Sequence, residues 1–354
     1  MKRQMMKGNE AIAEAAVQAG CKFFFGYPIT PQNEIPEYMS ARLPEVGGAF
    51  VQAESEVSAI NMVYGAAGAG ARCMTSSSSP GISLKQEGIS YIASAELPCV
   101  IVNMVRGGPG LGSIQPAQSD YYQATRGGGH GDYRMPVYAP ASVQEAVELV
   151  QLAFDVADQY RTPAMVLGDG IIGQMMEPVT MPEYAGRKLP PKDWAATGWK
   201  EGDGRQRAII NSLYIQADDC EAHNNRLQAK YDAIAESETM VETQMMEDAE
   251  FAIAAYGTTA RIALTAIRRA RAEGIKVGLI RPITVWPFPS AEFAKHAPNL
   301  KGILTVEMSM GQMVDDVRLA VNGVCPVKFF GRAGGAVPGV RDIYEQIIAM
   351  KEEF

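Results

Sequence analysis

Apolar residues along the chain recur in two patterns. Short unbroken runs alternate with longer stretches in which they return every three or four positions. The first helix is expected over residues 9–19, where Ala11, Ile12, Ala15 and Ala16 share a face and Gly20 supplies a stop. A buried strand over 21–26 follows and ends in the turn-rich stretch Tyr27-Pro28-Ile29-Thr30-Pro31. A helix of small residues is expected over 56–71. The run PCVIVNMV at 98–105 is almost wholly apolar, as a central parallel strand buried on both faces would be. An amphipathic helix over 143–159 and a strand over 163–167 complete this alternation, which predicts an α/β unit with a mostly parallel sheet.

The pattern changes near Pro178. Residues 178–204 are rich in Pro, Gly, Lys and Trp and carry no sustained period, and a charged segment with helical stretches runs from 218 to 247. A second α/β unit then begins. Strands are expected over 251–256, 277–281 and 302–307, with helices over 258–273 and 313–321. The expected organisation is a first domain over 1–177, a connecting segment with a helical arm over 178–247 and a second domain over 248–354. No repeat at solenoid periods is visible.

Composition narrows the function classes. With 354 residues, 47% of them apolar, the chain can bury two ordinary cores. A formal charge of −8 argues against nucleic acid as a partner. No apolar run reaches the length of a membrane span, and the basic start MKRQMMKGNEAIAEAA develops no signal core, so a cytoplasmic chain with no membrane contact is expected. The cysteines at 21, 73, 99, 220 and 325 form no C-x-x-C pair, and the histidines at 130, 223 and 296 are scattered. A zinc or iron–sulfur site within the chain, or a serine–histidine triad, therefore has little material. No metal ligand is assigned.

Four stretches could carry chemistry, and each has a structural alternative. Gly26-Tyr27-Pro28-Ile29-Thr30-Pro31 follows a strand, so it lies where open α/β sheets bind ligands. The alternative is a rigid turn with Thr30 as helix N-cap and Pro31 at the first helical position. Gln52-Ala53-Glu54-Ser55-Glu56 places two carboxylates before a helix. They are either functional groups or favourable helix-start charges. Thr75-Ser76-Ser77-Ser78-Ser79-Pro80-Gly81 offers hydroxyls and amides in a tight turn before a helix, or is a flexible serine loop. Arg106-Gly107-Gly108-Pro109-Gly110-Leu111-Gly112 follows the most apolar strand. Its glycine spacing is not that of a dinucleotide fingerprint, but the glycines admit close backbone approach and Arg106 can clamp a carboxylate. The alternative there is a surface loop with a solvated arginine.

Gly168-Asp169-Gly170 imitates the start of the metal–diphosphate motif of thiamine enzymes. The asparagine pair that motif requires is missing from the following window, and Asn224-Asn225 lies too far on. Asp169 is therefore expected to be a strand-end residue.

Taken together, GYPITPQNEI, VQAESEVSAINMVYGAAGAGAR, TSSSSPGISL, VNMVRGGPGLG and GGGHGDY in the first domain, with GLIRPITVWPFP and VEMSMGQMVDDVR in the second, resemble the large catalytic subunit of 2-oxoacid:ferredoxin oxidoreductases. The branched-chain type, acting on 3-methyl-2-oxobutanoate, is the nearest in pattern, followed by the 2-oxoglutarate type. The resemblance implies a pyrimidine-binding-type domain followed by a domain similar to the transketolase C-terminal domain. It implies thiamine diphosphate shared with a β subunit that holds the diphosphate and Mg2+. The 4Fe–4S clusters would sit on partner subunits, a ferredoxin-like iron–sulfur subunit among them, beside a γ subunit. Ferredoxin would take the electrons, and coenzyme A, as co-substrate, the acyl group.

Carried onto this sequence, the resemblance makes Glu56 the carboxylate that binds N1′ of the aminopyrimidine. Glu56 is preferred over Glu54 for its spacing to Tyr64-Gly65-Ala66. Thr30 would donate its hydroxyl to the 2-oxoacid, and Arg106 would pair with the acid's carboxylate. Tyr27, Pro28, Ile29 and Ser79 would join Glu56 in contacting the cofactor. Gln32 stands where relatives commonly carry a serine, and His130, in the loop 127–132, is expected near the site without an assigned role. The rival readings are a transketolase-like transferase, a non-catalytic scaffold subunit and a nucleotide-binding module.

Overall fold

The computed structural model describes residues 3–202 and 204–354. In chain order the first unit contains β1 (Gln4–Lys7), α1 (Gly8–Gln18), β2 (Phe23–Gly26), α2 (Glu34–Glu45), β3 (Ala49–Gln52), α3 (Glu56–Gly68), β4 (Cys73–Ser77) and α4 (Ser79–Ser94). It continues with β5 (Cys99–Val105), α5 (Tyr121–Arg126), β6 (Val137–Tyr138), α6 (Val143–Tyr160), β7 (Pro163–Asp169), α7 (Gly170–Gln174) and β8 (Met176–Val179). After an irregular stretch come α8 (Ala217–Ser237), β9 (Val241–Gln244), β10 (Phe251–Ala254), α9 (Gly257–Ala272), β11 (Val277–Pro282) and β12 (Thr284–Trp286). The chain closes with α10 (Ser290–His296), β13 (Gly302–Glu307), α11 (Met313–Val321), β14 (Val327–Gly331) and α12 (Val340–Glu353).

The α/β class with mostly parallel sheets is as expected. A seven-stranded sheet runs β12-β6-β7-β5-β4-β2-β3, parallel throughout except where β12 joins β6. Its centre is β5, whose side chains alternate between two cores. Cys99, Ile101 and Val105 face a layer with α3 and α4, while Val100, Val102 and Met104 face a layer with α1, α2 and α6. This strict alternation of buried residues is the period-2 pleat, with both faces covered. A five-stranded sheet runs β14-β13-β10-β11-β9, with only β9 antiparallel, and α9 and α12 cover one face of it.

Two strands tie the connecting segment and the two units together. β9 lies within the segment expected to be a connection and pairs with β11, while β12, from the second unit, closes an edge of the first sheet against β6. The apolar layer under α3 and α4 continues through Leu227 and Tyr231 of α8 to Ile303 and Val317 of the second unit, so one core fastens both.

Local chemistry explains the helices that matter for the site. The α3 cap is Ser55, whose hydroxyl accepts from the Ser58 amide, and its small residues let α4 lie close. At the contact, a methyl on Gly88 would stand 2.5 Å from Ile60 Cγ2. The Ser142 hydroxyl caps α6 by accepting from the Glu145 amide, and α6 ends at Arg161 in the left-handed conformation.

Candidate active site

All parallel strands of the first sheet point the same way, so the chain leaves β2, β3, β4, β5 and β7 along one carboxyl edge. Four of the stretches singled out in the sequence meet there. Thr30 and Arg106 are joined directly. Arg106 Nη1 donates to the Thr30 carbonyl at 3.0 Å, and Nη2 donates to the Leu111 carbonyl at 3.0 Å. The guanidinium is buried, with residue exposure of 7%, and Nε has no partner, so most of its five N–H donors stay free for a ligand.

The Thr30 turn is tied on every side. Gln32, fully buried, donates from its amide to the Ile29 carbonyl at 3.1 Å and from Nε2 to the Tyr27 carbonyl at 3.3 Å, and it accepts from the Ser76 hydroxyl of β4. The Pro31 carbonyl accepts from Asn9 Nδ2 at 2.8 Å and from Gln174 Nε2 at 2.9 Å. The turn is therefore rigid, while Thr30, Tyr27 and Pro28 are exposed and Ile29 half-buried along its rim. Thr30 is not a helix cap: α2 starts four residues on, at Glu34, with Asn33 in the cap position. A cavity of about 650 Å³ opens beside it, lined by Thr30, Pro31, Gln115 and Gly170 among others.

The serine tract is neither a loop nor a turn. Residues 73–77 form β4, every one buried, and Ser78 is the N-cap position of α4. Ser79, at the first helical position, uses its hydroxyl internally. It donates to Asp120 Oδ2 at 2.7 Å and accepts from the Arg106 amide at 3.1 Å. Asn103 holds the same group, accepting from the Ser79 amide at 3.2 Å and donating to Asp120 Oδ2 at 2.9 Å. Burial pushes the Asp120 carboxyl above the usual aspartate range, and the bonds from Ser79 and Asn103 pull it back. Ser79 thus fixes the backbone of Arg106.

Glu56 and Glu54 separate cleanly. Glu54 is exposed, whereas Glu56, at the first position of α3, is 6% exposed. The Glu56 carboxylate rests on the first turn of α4 at Gly81, two residues after Ser79. Among the described residues none donates a hydrogen bond to it, its oxygens are not among the fully enclosed atoms, and the neighbouring Ser77 hydroxyl is buried without a partner. A carboxylate on a largely buried side chain, with no protein donor and a narrow opening, is open to a donor from a ligand. Thr30, Arg106, Ser79 and Glu56 therefore form one cluster, linked through the start of α4.

Lys85 is the residue sequence reasoning missed. It lies on α4 one turn beyond Gly81, has 0% exposure, and donates from Nζ to Thr75 Oγ1 at 2.7 Å and to the Ser76 carbonyl at 2.9 Å. Burial pushes its ammonium down to about 7, and the charge of Glu56 acts in the opposite direction. A lysine four residues after Gly81 reads as solvent-facing in a sequence. Only the polar strand β4 beneath α4 turns it inward.

Of two other expectations, the one for His130 is not met and the one for Asp169 is. His130 is exposed and lines a separate cavity of about 330 Å³ between α4 and α8, with Ser94, Cys220 and His223, rather than the cavity beside Thr30. Asp169 is a strand-end residue whose carboxylate accepts from the amides of Ile171 at 2.8 Å and Ile172 at 3.3 Å, capping α7. From the second unit, Gly334 and Gly335 close on the glycine loop. A methyl on Gly107 would stand 2.7 Å from the Gly334 carbonyl carbon, so glycine is required there.

Comparisons with known proteins fit this geometry. Residues 14–247 match the family described as pyruvate flavodoxin/ferredoxin oxidoreductase, thiamine diphosphate-binding, and residues 249–343 match the pyruvate:ferredoxin oxidoreductase core domain II. The chain is 50% identical to the ketoisovalerate oxidoreductase subunit VorB of Methanothermobacter thermautotrophicus, over 98% of this chain and 97% of that protein. It is 37% identical to the 2-oxoglutarate synthase subunit KorA of the same organism, over 98% of both. Among solved structures, a 2-oxoglutarate:ferredoxin oxidoreductase from Magnetococcus marinus, with 2-oxoglutarate, coenzyme A and succinyl-CoA bound, superposes with a TM-score of 0.89 at 26% identity. The match covers 99% of this chain and 65% of that longer one. A split-gene transketolase superposes with a TM-score of 0.62 at 14% identity, a likeness of fold alone.

Proposed function

The chain belongs to the pyruvate flavodoxin/ferredoxin oxidoreductase family, the thiamine-dependent 2-oxoacid:ferredoxin oxidoreductases, and we propose that it supplies the pyrimidine side of an active site acting on 3-methyl-2-oxobutanoate. The observation that carries this reading is the buried Glu56 carboxylate with no protein donor, at the same sheet edge as Thr30 and Arg106. The higher identity to a ketoisovalerate oxidoreductase subunit than to a 2-oxoglutarate synthase subunit supports the branched substrate.

When bound, thiamine diphosphate supplies the electron sink for cleaving the bond between the carboxylate and the keto carbon. This chain's residues do the rest of what falls to it. Glu56 accepts the hydrogen bond of N1′ and so holds the proton shared between that nitrogen and its own oxygen. Arg106 orients the substrate carboxylate through its free N–H groups, a charge-assisted contact that relaxes as the carboxylate becomes neutral carbon dioxide. The Thr30 hydroxyl donates to the 2-oxoacid from a turn that Gln32, Asn9 and Gln174 hold still. Tyr27, Pro28 and Ile29 form the rim against which the cofactor lies, and Ser79 keeps Arg106 in place.

We assign the diphosphate and its Mg2+ to a β subunit, as in the family resemblance: the asparagine pair that should follow Gly168-Asp169-Gly170 is missing, and Asp169 caps α7. The 4Fe–4S clusters belong to a ferredoxin-like partner that passes electrons to ferredoxin, a γ subunit completes the assembly, and coenzyme A receives the acyl group. The domain division assigned to this chain is 1–177, 178–247 and 248–354, with β9 of the connecting segment joining the second sheet and β12 of the last domain joining the first. We place the complex in the cytoplasm, where the unpaired thiols of Cys21, Cys73 and Cys99 are stable. Among the described residues, no helix is long and apolar enough to cross a membrane.

The test is viologen reduction by the co-purified complex with thiamine diphosphate and coenzyme A, comparing 3-methyl-2-oxobutanoate, 2-oxoglutarate and pyruvate. Preference for the branched acid is expected. Preference for 2-oxoglutarate overturns the substrate and keeps the class. Reduction with none of the three, from a complex containing cofactor and clusters, returns the transferase and scaffold readings.

A further inference from the structure

Lys85 has no place in the chemistry above, yet it lies directly behind it. The α4 helix begins at the site, with Ser79 at its first position and Gly81 beneath the Glu56 carboxylate. Lys85 follows Gly81 by one helical turn, on the same face, and helical side chains lean back toward the N-terminus. Its ammonium therefore returns to the end of β4, where Thr75 Oγ1 and the Ser76 carbonyl accept from it. Those are its only protein acceptors among the described residues, and both are uncharged.

Resting on the proposed role of Glu56, we propose that Lys85 is a positioning residue: it is the counter-ion of the Glu56 carboxylate and sets how tightly that carboxylate holds the proton it shares with N1′ of the cofactor.

Three features carry this. Lys85 is fully buried, so its charge must be matched from within the protein, and the match is not a salt bridge in direct contact. Glu56 is the one charged group that acts on it through space among the described residues. Arg106 and Asp120, from the loop after β5, and Tyr133, just after the loop 127–132, are other titratable groups near α4 among the described residues. They bond to Thr30 and Leu111, to Ser79 and Asn103, and to Gln86, respectively. Lys85 also has a midpoint moved by burial to about 7, so its charge changes within the working range of an enzyme. When it is protonated, Glu56 is favoured as carboxylate. When it is neutral, Glu56 takes up the shared proton more readily.

The test uses the assembled complex and two readouts, thiamine diphosphate affinity by calorimetry and kcat for 3-methyl-2-oxobutanoate, each followed across pH 6 to 9. The wild-type complex should show a transition in both near pH 7. Lys85→Met should abolish that transition in both readouts. Thr75→Val keeps the lysine but removes one acceptor of its ammonium, so the transition should move to lower pH. A wild-type profile without a transition, a Lys85→Met profile that parallels wild type, or a Thr75→Val profile with an unmoved transition overturns the proposal. Glu56→Gln separates the two layers of argument. If it is fully active, the role of Glu56 itself falls. If it is inactive while Lys85→Met leaves the profile unchanged, only the role of Lys85 falls.

Discussion

The Glu56 carboxylate rests directly on the backbone of Gly81. A methyl group built on that glycine would stand 2.6 Å from Glu56 Oε1 and 2.0 Å from Ser77 Oγ. No real contact is that short, so the absence of a side chain at position 81 is what lets α3 and α4 bring their first turns together. Gly81→Ala should push Glu56 away from the start of α4. The expected result is a loss of thiamine diphosphate affinity in the complex of about tenfold or more. The unfolding transition of the chain should move by only the modest amount that overpacking one methyl causes, about 1–3 kcal/mol. Unchanged affinity would mean that Glu56 can shift without consequence and is not the cofactor's carboxylate.

Arg106 makes a different kind of prediction, because its head is held at two points and still has donors to offer. Replacing it with lysine keeps the charge but removes the planar fork that bonds the Thr30 and Leu111 carbonyls together. A charged hydrogen bond contributes about 1.5–3 kcal/mol, which corresponds to roughly ten- to a hundredfold in kcat/KM. Arg106→Lys should fall in that range, and Arg106→Ala at or beyond its upper end. Thiamine diphosphate affinity should stay within about threefold of wild type, since the arginine is assigned to the substrate. Steady-state kinetics with the preferred 2-oxoacid decide it. A defect confined to cofactor binding would reassign Arg106.

Much of this frame was legible from residue patterns. β13 and α11 fall at the boundaries read from the sequence, since Ile303, Leu304 and Val306 give β13 its apolar run and Gly311 and Gly323 lie just beyond the caps of α11. The 98–105 run is the central strand because nothing but burial on both faces accommodates it. β4 was not legible. Thr75, Ser76 and Ser77 are polar, and period rules place such residues outside, yet all are buried and two are met by Lys85 and Gln32 from other elements. α2 was hidden by Pro36 and Pro44 within it. The pairing of β12 with β6 depends on residues well over a hundred positions apart, which no local pattern encodes. For the site, residue types and spacing left each stretch with a structural alternative, and the family resemblance singled out Glu56, Thr30 and Arg106; the fold places them on one sheet edge. The polar groups behind them, Lys85, Asn103 and Asp120, required the structure.

Gln118 is the joint between the two units. Its Nε2 donates to the Tyr256 carbonyl at 2.9 Å, and its Oε1 accepts from Thr259 Oγ1 at 2.6 Å and from the Met308 amide at 3.0 Å. Its own amide donates to the Met308 carbonyl at 2.8 Å. Gln118→Leu keeps the volume, leaves the Thr259 hydroxyl and the Met308 amide without partners, and takes from the Tyr256 carbonyl one of its two donors, the Ala260 amide remaining. Each such orphan costs about 1–3 kcal/mol, so a loss of about 2 kcal/mol or more is expected. Urea unfolding should show a lower midpoint with the slope retained. A change below about 0.5 kcal/mol would show that water replaces the glutamine at the joint.

The last prediction concerns stability and turns on the sign of one shift. A lysine in the unfolded chain titrates near its usual value of 10.5, while burial pushes Lys85 down to about 7 in the folded chain. Above the unfolded value neither state carries the proton, and the site makes no demand on folding. Below about 7 both carry it, and the full burden of a buried cation falls on the folded state. Between the two the unfolded chain binds a proton that the folded chain lacks, so the contribution of this site to stability rises with pH, by at most about 1.4 kcal/mol per pH unit. Lys85→Met removes the titration and leaves Thr75 Oγ1 and the Ser76 carbonyl without their donor, a loss that does not vary with pH. The unfolding free energy of Lys85→Met minus that of wild type should therefore be most positive near pH 7 and should decline steadily toward pH 10. Denaturant titrations of the two chains at pH 7, 8, 9 and 10 measure it. A difference that stays level across the series would mean that Lys85 keeps its proton in the folded chain throughout, with Glu56 outweighing burial.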